Sequence, residues 1–579
     1  MKLRARAAFL ALAAIVAAPV CLAGGGMHPE HADHGMVVSV HELASAAGVE
    51  MMKAGGNAID AAVATSFALA VVHPSSGNIG GGGFMLVRMA GGQTHFIDFR
   101  EKAPGKATAR MYLNAQGQVT PGLSRIGYLA AGVPGSVKGM AYAEQHFGKL
   151  DLKRVLQPAI RLARQGFPLS WDDARQMSAD AGFSQFPDSK RIFQNDGHGW
   201  HQGDIFKQPQ LARTLERIAA DPEDFYKGRM AREIAEFVQQ GGGLITPEDL
   251  ANYDVKEREP VTGTYRGLQI ISAPPPSSGG IALVETLNIL EGYDLGKAGL
   301  DSAESIHLIT EAYRRTFYDR AQFLGDPEFS AVPVLQLTAK PYAVAWRSSI
   351  QLQKATPSTQ LERPPTSPEL SRYASEHPVE PAAPEPTQTT HYSVVDADGN
   401  AVAVTTTLNG AFGSKVTVGA LAFLLNDEMD DFSSKAGVPN MFGLLQSDAN
   451  LIGPNKRPLS AMTPTIVLKD GKPWLVLGTP GGPTIITTVA NILLGVVDYG
   501  LDIQQAVNAP RFHHQWMPDR MLIERDRFSP DTLNLLKSWG YTPAFGLGGD
   551  GECIEIDSKT GTRLGASDAR NETGKAVGY

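Results

Sequence analysis

Apolar and polar positions alternate with different periods along the chain, and each change of period predicts a new element. "GNAIDAAVATSFALAVVHP", Gly56 to Pro74, carries small apolar residues around most of a helical wheel, so it predicts a helix buried on all sides. "GNIGGGGFMLVRMAGGQTHFIDFREKAP" then shifts toward period two. A glycine run leads to an apolar strand over 84–88, a turn at Gly91-Gly92 and a second strand over 94–99, which predicts a hairpin. Residues 149–242 show spaced Leu, Ile and Ala among charges and predict mainly helix. "ISAPPPSSGGIALVETLNIL" predicts a loop and then a helix from near Gly280, and 302–324 predicts another. Prolines at 357, 364, 365, 368, 378, 381, 384 and 386 exclude regular structure over about 355–388, which predicts a linker or mobile segment. Beyond it, "HYSVVDADGNAVAVTTTLN" and "TPTIVLKDGKPWLVLGTPGG" predict two hairpins turning at Asp-Gly, and 485–499 predicts a helix. Hairpins in runs, without strict βαβ alternation, predict an α+β fold with antiparallel sheets.

Composition narrows the function classes. The 579 residues are 43% hydrophobic and 19% charged, an ordinary globular balance. A net charge of −8 without a basic run excludes nucleic acid as a partner, since phosphate binding needs clustered Lys and Arg. The N-terminal "MKLRARAAFLALAAIVAAPVCLAGGG" has a basic start, an apolar run over 7–20 and a small-residue site at Cys21-Leu22-Ala23. It predicts a secretory signal over 1–23 and a periplasmic or secreted protein; a lipid anchor on Cys21 is the competing reading. No other stretch is apolar for long enough to cross a bilayer, so the mature protein is expected to have no membrane span. Of two cysteines only Cys553 outlasts signal removal, which leaves no internal disulfide.

No G-x-S-x-G elbow, P-loop, H-E-x-x-H or C-x-x-C occurs. "NIGGGGF" lacks the Lys-Ser/Thr of a phosphate loop and predicts a tight backbone crossing or a set of N–H donors. Adjacent His513 and His514 would point to opposite faces of an extended chain. Neither a metal nor another cofactor is expected. "PTQTTHYSVVDADGN" is the more informative stretch, because Thr389 and Thr390 stand where the linker meets a strand. A threonine hydroxyl is a weak nucleophile, but at a chain terminus its own α-amine, with a pKa of about 7.7–8, can remove its proton. That chemistry requires a cut in the chain before Thr389. The alternative is a threonine pair that merely packs in a strand.

"TTHYSVVDADGNAVAVTTTLN", "LLNDEMDDFS", "GPNKRPLSAMTPTIV", "GTPGGPTIITT" and "DFREKAP" resemble the γ-glutamyltransferase (γ-glutamyltranspeptidase) family of N-terminal-nucleophile hydrolases. "GNAIDAAVA", "GVPGSVKGM", "PPPSSGG" and "NAPRFHHQW" extend the likeness over nearly the whole mature chain. The resemblance implies a four-layer αββα sandwich and an autocatalytic cut between Gln388 and Thr389. A large subunit (24–388) and a small one (389–579) would remain together as a heterodimer. Thr389 would attack the γ-carbonyl of glutathione or another γ-glutamyl amide. Water, an amino acid or a peptide would resolve the ester.

The resemblance also implies the other roles. Thr407 would assist the nucleophile, and Gly481 and Gly482 would bind the oxyanion. Arg100 would hold the α-carboxylate with help from Ser460. Asn409, Glu428 and Asp431 would surround the α-ammonium. The chain departs from the family at Ala461, where a second serine is usual, and a lost hydrogen bond to a charged group costs about 1.5–3 kcal/mol. The segment 435–450 would cover the site, with Phe442 as a gate. Two other readings are a related acylase for glutaryl amides and an exported binding protein that never matures.

Overall fold

Alternating side chains along fourteen strands build two facing sheets. The computed structural model describes residues 28–364, 370, 389–435, 438, 440–441 and 443–579. The predicted signal, Gln388 and Phe442 lie outside the described residues, as does most of the predicted linker. In chain order the strands are β1 (Glu30–Ala32), β2 (Met36–Ser39), β3 (Gly82–Arg88), β4 (Thr94–Asp98), β5 (Lys256–Arg258), β6 (Val261–Tyr265) and β7 (Leu268–Ser272). The rest are β8 (Thr390–Val395), β9 (Ala401–Thr407), β10 (Thr465–Lys469), β11 (Lys472–Leu477), β12 (Glu552–Ile556), β13 (Arg563–Ser567) and β14 (Lys575–Gly578). One sheet runs β14-β2-β8-β9-β3-β4-β5 and the other β1-β13-β12-β11-β10-β7-β6. Every pairing within them is antiparallel.

Period two decides which face each residue buries. Met36, Val38, Phe84, Leu86, Ala401 and Ala403 belong to the core shared with the second sheet and its helices. Their neighbours Val37, Met85, Val87, Val402 and Val404 pack instead with helices α1 (Glu42–Lys53) and α2 (Ala58–Val72). All fifteen residues of α2 are buried, as its all-round apolar surface predicts, and Asn57 caps it reciprocally with Asp60. The outer face of the second sheet carries α3 (Gly279–Leu290) and α5 (Thr484–Val497), and α4 (Ala303–Phe323) packs on α3. The result is a helix–sheet–sheet–helix sandwich, the αββα arrangement. Both sheets contain strands from before and after Thr389, and residues of both parts pack in each of the two main cores.

The glycine run is a close backbone crossing. A Cβ on Gly81 would run into the carbonyl oxygen of Thr407, and one on Gly83 into that of Thr405. Glycine therefore lets β3 lie tight against the end of β9. The predicted linker begins later than its prolines imply. Ser358 N donates to Asp519 Oδ2 at 2.7 Å, Trp516 Nε1 donates to Ser358 O at 3.1 Å, and Leu361 is buried. Arg363 Nε donates to Asp319 Oδ1 at 2.8 Å. Proline rules out a long helix or a ladder here, but it does not prevent side chains from packing, and a short 3₁₀ turn forms at Ser358–Gln360.

Candidate active site

The hairpin β8–β9 pairs Thr390 with Thr406, which puts Thr389 across from Thr407 on the face toward the second sheet. Their hydroxyl oxygens lie 3.3 Å apart, and the Asn409 backbone N–H donates to Thr407 Oγ1 at 2.8 Å. His391, next on the same face, is engaged by Thr405 and Ser393, at 2.9 and 3.2 Å. Burial lowers its pKa to about 3, so it stays neutral and committed. A histidine base for Thr389 is thus not what the hairpin offers.

Beyond β11 the chain turns at Gly481 and Gly482 into α5. Gly481 has φ +134° and Gly482 φ +57°, backbone that side-chain-bearing residues rarely adopt. Thr484 holds the turn by donating from N and Oγ1 to Gly481 O, at 3.2 and 2.8 Å. The N–H groups of both glycines have no partner among the described residues. They stand at the start of a fourteen-residue helix whose dipole favours negative charge.

A cavity of about 330 Å³ joins these parts, lined among others by Thr389, Thr407, Gly482, Ser460, Ala461 and Arg320. Arg100, Asn409, Glu428 and Asp431 complete its polar side. The acidic run 427–431 is buried throughout and is not a solvated turn. Arg100 is 0% exposed and pairs directly with both Glu428 and Asp431, while its Nε donates to Pro458 O at 3.3 Å. The carboxylate-holding and ammonium-holding groups expected from the sequence thus form one ion cluster. Glu101 Oε2 lies 3.6 Å from Arg100 Nη1 and joins it. Burial alone would lower the Arg100 pKa, but Glu428, Asp431 and Glu101 outweigh it and hold the guanidinium charged. Burial raises Glu101 to about 7 against the pull of Arg100, and raises Glu428 well above the carboxylate range. Glu428 Oε2 has no hydrogen-bond partner among the described residues.

Asn409 lines the cavity beside the cluster, and its Nδ2 donates to the Asp427 backbone carbonyl at 3.1 Å. Ser460 Oγ accepts from Met462 N at 3.1 Å, and Ala461 beside it presents only a methyl group. Met441 N donates to Asp430 Oδ2 at 2.9 Å, and Leu444 lines the cavity. His513 and His514 take separate partners, Thr487 with Gln515 and Asp519. Sequence reasoning missed Glu101 and Arg320. Glu101 adjoins Arg100 in "DFREKAP", a usable signal; Arg320 has none, because a charged residue on a long helix reads as a surface position.

Sandwich, strand-edge threonine and free glycine N–H groups together are those of an N-terminal-nucleophile hydrolase. The gamma-glutamyltranspeptidase family model matches residues 44–578. A "Glutathione hydrolase proenzyme" of Escherichia coli (strain K12) is 48% identical over 95% of this chain and 93% of its own. The solved gamma-glutamyltranspeptidase of Helicobacter pylori is 46% identical, with a TM-score of 0.55 over 56% of this chain and 93% of that one. A cephalosporin acylase from Bacillus halodurans superposes with a TM-score of 0.81 at 28% identity, covering 96% of this chain and 97% of that one. The chain belongs to the gamma-glutamyltranspeptidase family. No helix of the described residues is long and apolar enough to cross a membrane.

Proposed function

We propose that the chain is an exported proenzyme that cuts itself between Gln388 and Thr389. It then hydrolyses γ-glutamyl amides such as glutathione, or transfers their γ-glutamyl group to amino acids and peptides. The observation that carries this reading is the convergence of Thr389, Thr407, Gly482 and the Arg100–Glu428–Asp431 cluster on one cavity.

The cut turns the Thr389 amide nitrogen into a free amine. That amine takes the Oγ1 proton as Oγ1 attacks the γ-carbonyl, with Thr407 fixing the hydroxyl. The carbonyl oxygen becomes an oxyanion, stabilised by the N–H groups of Gly481 and Gly482. Collapse breaks the amide bond, and the proton passes to the leaving amine. The γ-glutamyl ester on Thr389 is then opened by water or by an acceptor amine. The large subunit, 24–388, and the small one, 389–579, stay together because both sheets draw strands from each.

At the other end of the acyl group, Glu428, Asp431 and Asn409 suit an α-ammonium. The glutaryl-acylase reading gains support from the acylase fold likeness. It ranks second because a glutaryl group brings no donor to the buried Glu428 Oε2, which has no hydrogen-bond partner among the described residues. Initial rates on γ-glutamyl and glutaryl p-nitroanilides, with and without glycylglycine, test the reading. Faster γ-glutamyl turnover, raised by the dipeptide, supports it; a preference for glutaryl refutes it.

A further inference from the structure

The glycine run "NIGGGGF" is a motif that the reaction leaves unused, and Asn78 opens it. Asn78 is 6% exposed and lies between α2 and β3. Its Nδ2 donates to the Thr407 backbone carbonyl and to Ser76 O, both at 2.9 Å, with Thr406 Oγ1 at 3.3 Å. Its Oδ1 accepts from Gly81 N at 2.9 Å and from Ser136 Oγ at 2.6 Å. Turning the amide over would set its NH2 against the Gly81 N–H and its oxygen against two carbonyls, so the partners fix which end faces β9. One side chain thereby joins a loop that precedes Thr389 to a strand end that follows it.

Thr407 is the last residue of β9 and pairs with Gly82, the first of β3. Beyond it the chain turns, with Asn409 at φ +79°. Where a ladder ends, side chains take over its buried backbone groups. Gly81 has no Cβ, and one would fill the space in which Asn78 meets the Thr407 carbonyl. The residue held in this way is the one whose hydroxyl oxygen stands 3.3 Å from that of Thr389. Asn78 itself does not line the cavity, so it reaches the reaction only through Thr407.

We propose that Asn78 is a positioning residue: by fixing the Thr407 backbone it sets the direction of Thr407 Oγ1 toward the Thr389 hydroxyl. This rests on the reading of Thr389 as nucleophile given above. The cut draws on the same hydroxyl pair. Thr389 Oγ1 bonds to the Gln388 carbonyl carbon, the Gln388–Thr389 C–N bond breaks, the proton passes from Oγ1 to the Thr389 nitrogen, and water opens the ester. Asn78 therefore acts on maturation and on turnover alike, and on neither through the head group of the substrate.

The test compares wild type, Asn78→Ala, Thr407→Val and the double variant, each matured, on two p-nitroanilides. One is γ-glutamyl; the other is 4-aminobutyryl, which lacks the α-carboxylate. In folded Asn78→Ala, kcat is expected to fall about 10- to 100-fold and by the same factor on both compounds, with KM within about twofold, because a misdirected reacting group costs rate and not binding. In the Thr407→Val background the same substitution should lower kcat by less than about threefold, since its path to the nucleophile is already gone. An unchanged kcat, a loss confined to KM, or an equal fall with and without Thr407 would overturn the proposal. If Asn78→Ala does not fold, Asn78→Ser, whose hydroxyl is a bond shorter than the amide, carries the same comparison. If a folded variant matures too slowly to assay, the rate of the cut in the purified precursor is compared instead. A fall that needs Thr407 supports the proposal, and a fall independent of it overturns it. A wild type inactive on the γ-glutamyl compound would sink the functional reading instead.

Discussion

Replacing Ala461 with serine restores one hydroxyl at the edge of the cavity where the carboxylate end of the donor is expected. The backbone there is already held: Ser460 N donates to Pro276 O at 2.9 Å, and Thr463 Oγ1 donates to Ala461 O at 2.9 Å. The new side chain thus adds a donor without moving the chain, and serine loses little rotamer freedom on ordering. A hydrogen bond to a charged group contributes about 1.5–3 kcal/mol, or about 10- to 150-fold in affinity. The α-carboxylate does not change during acyl transfer, so the gain is uniform binding and falls on KM, with kcat nearly constant. Steady-state hydrolysis of γ-glutamyl p-nitroanilide by Ala461→Ser should show that fall, and the 4-aminobutyryl compound should show none. An unchanged KM, or the same change on both compounds, would refute the reasoning.

Thr407→Val removes the acceptor of the Asn409 N–H and the neighbour of the Thr389 hydroxyl. In the matured variant kcat should fall about 10- to 100-fold with KM little changed, roughly 1.5–3 kcal/mol of transition-state stabilisation; a loss confined to KM would contradict Thr407's assisting role. Gly481→Ala forces a Cβ onto a residue at φ +134° and against Thr484 Oγ1. It should lower kcat about 100-fold or more while the variant still folds, read by single-turnover acylation. Full acylation rates would exclude Gly481 from the oxyanion site. Burial, with Asp60 adding to it, raises Glu144 to about 9. A carboxyl whose folded pKa is raised is most favourable below its unfolded value, about 4.5, and that stability is lost as pH rises toward 9. The unfolding free energy of Glu144→Gln relative to wild type should therefore rise from pH 5 to about pH 8, by at most about 1.4 kcal/mol per pH unit; a constant difference would show that Glu144 does not titrate there.

The sheets and the buried helix were legible because their patterns are local. Alternation in β3, β8 and β9 and the all-round small residues of α2 each state their own burial. The hairpin that brings Thr389 to Thr407 follows from an Asp-Gly turn between strands, and the two threonines are only eighteen positions apart. The ion cluster was legible only as a set of residue types. Arg100 and Glu428 are 328 positions apart, and nothing in either segment says that they pair with each other before any substrate does. Arg320 was not legible at all, since its burial beside the cavity, with Nε donating to Ser278 Oγ, is a property of packing. Residues 355–364 misled for a related reason: proline content reports the backbone, while Ser358 and Arg363 are held by side chains remote in sequence.

The dependence of the whole mechanism on a free Thr389 amine can be tested by intact mass under denaturing conditions, with N-terminal sequencing of any small chain. Wild-type protein should give two chains, the smaller beginning Thr-Thr-His-Tyr, and Thr389→Ala should stay whole and inactive. A single uncut wild-type chain with undiminished γ-glutamyl hydrolysis would contradict the assignment of Thr389 as a terminal nucleophile.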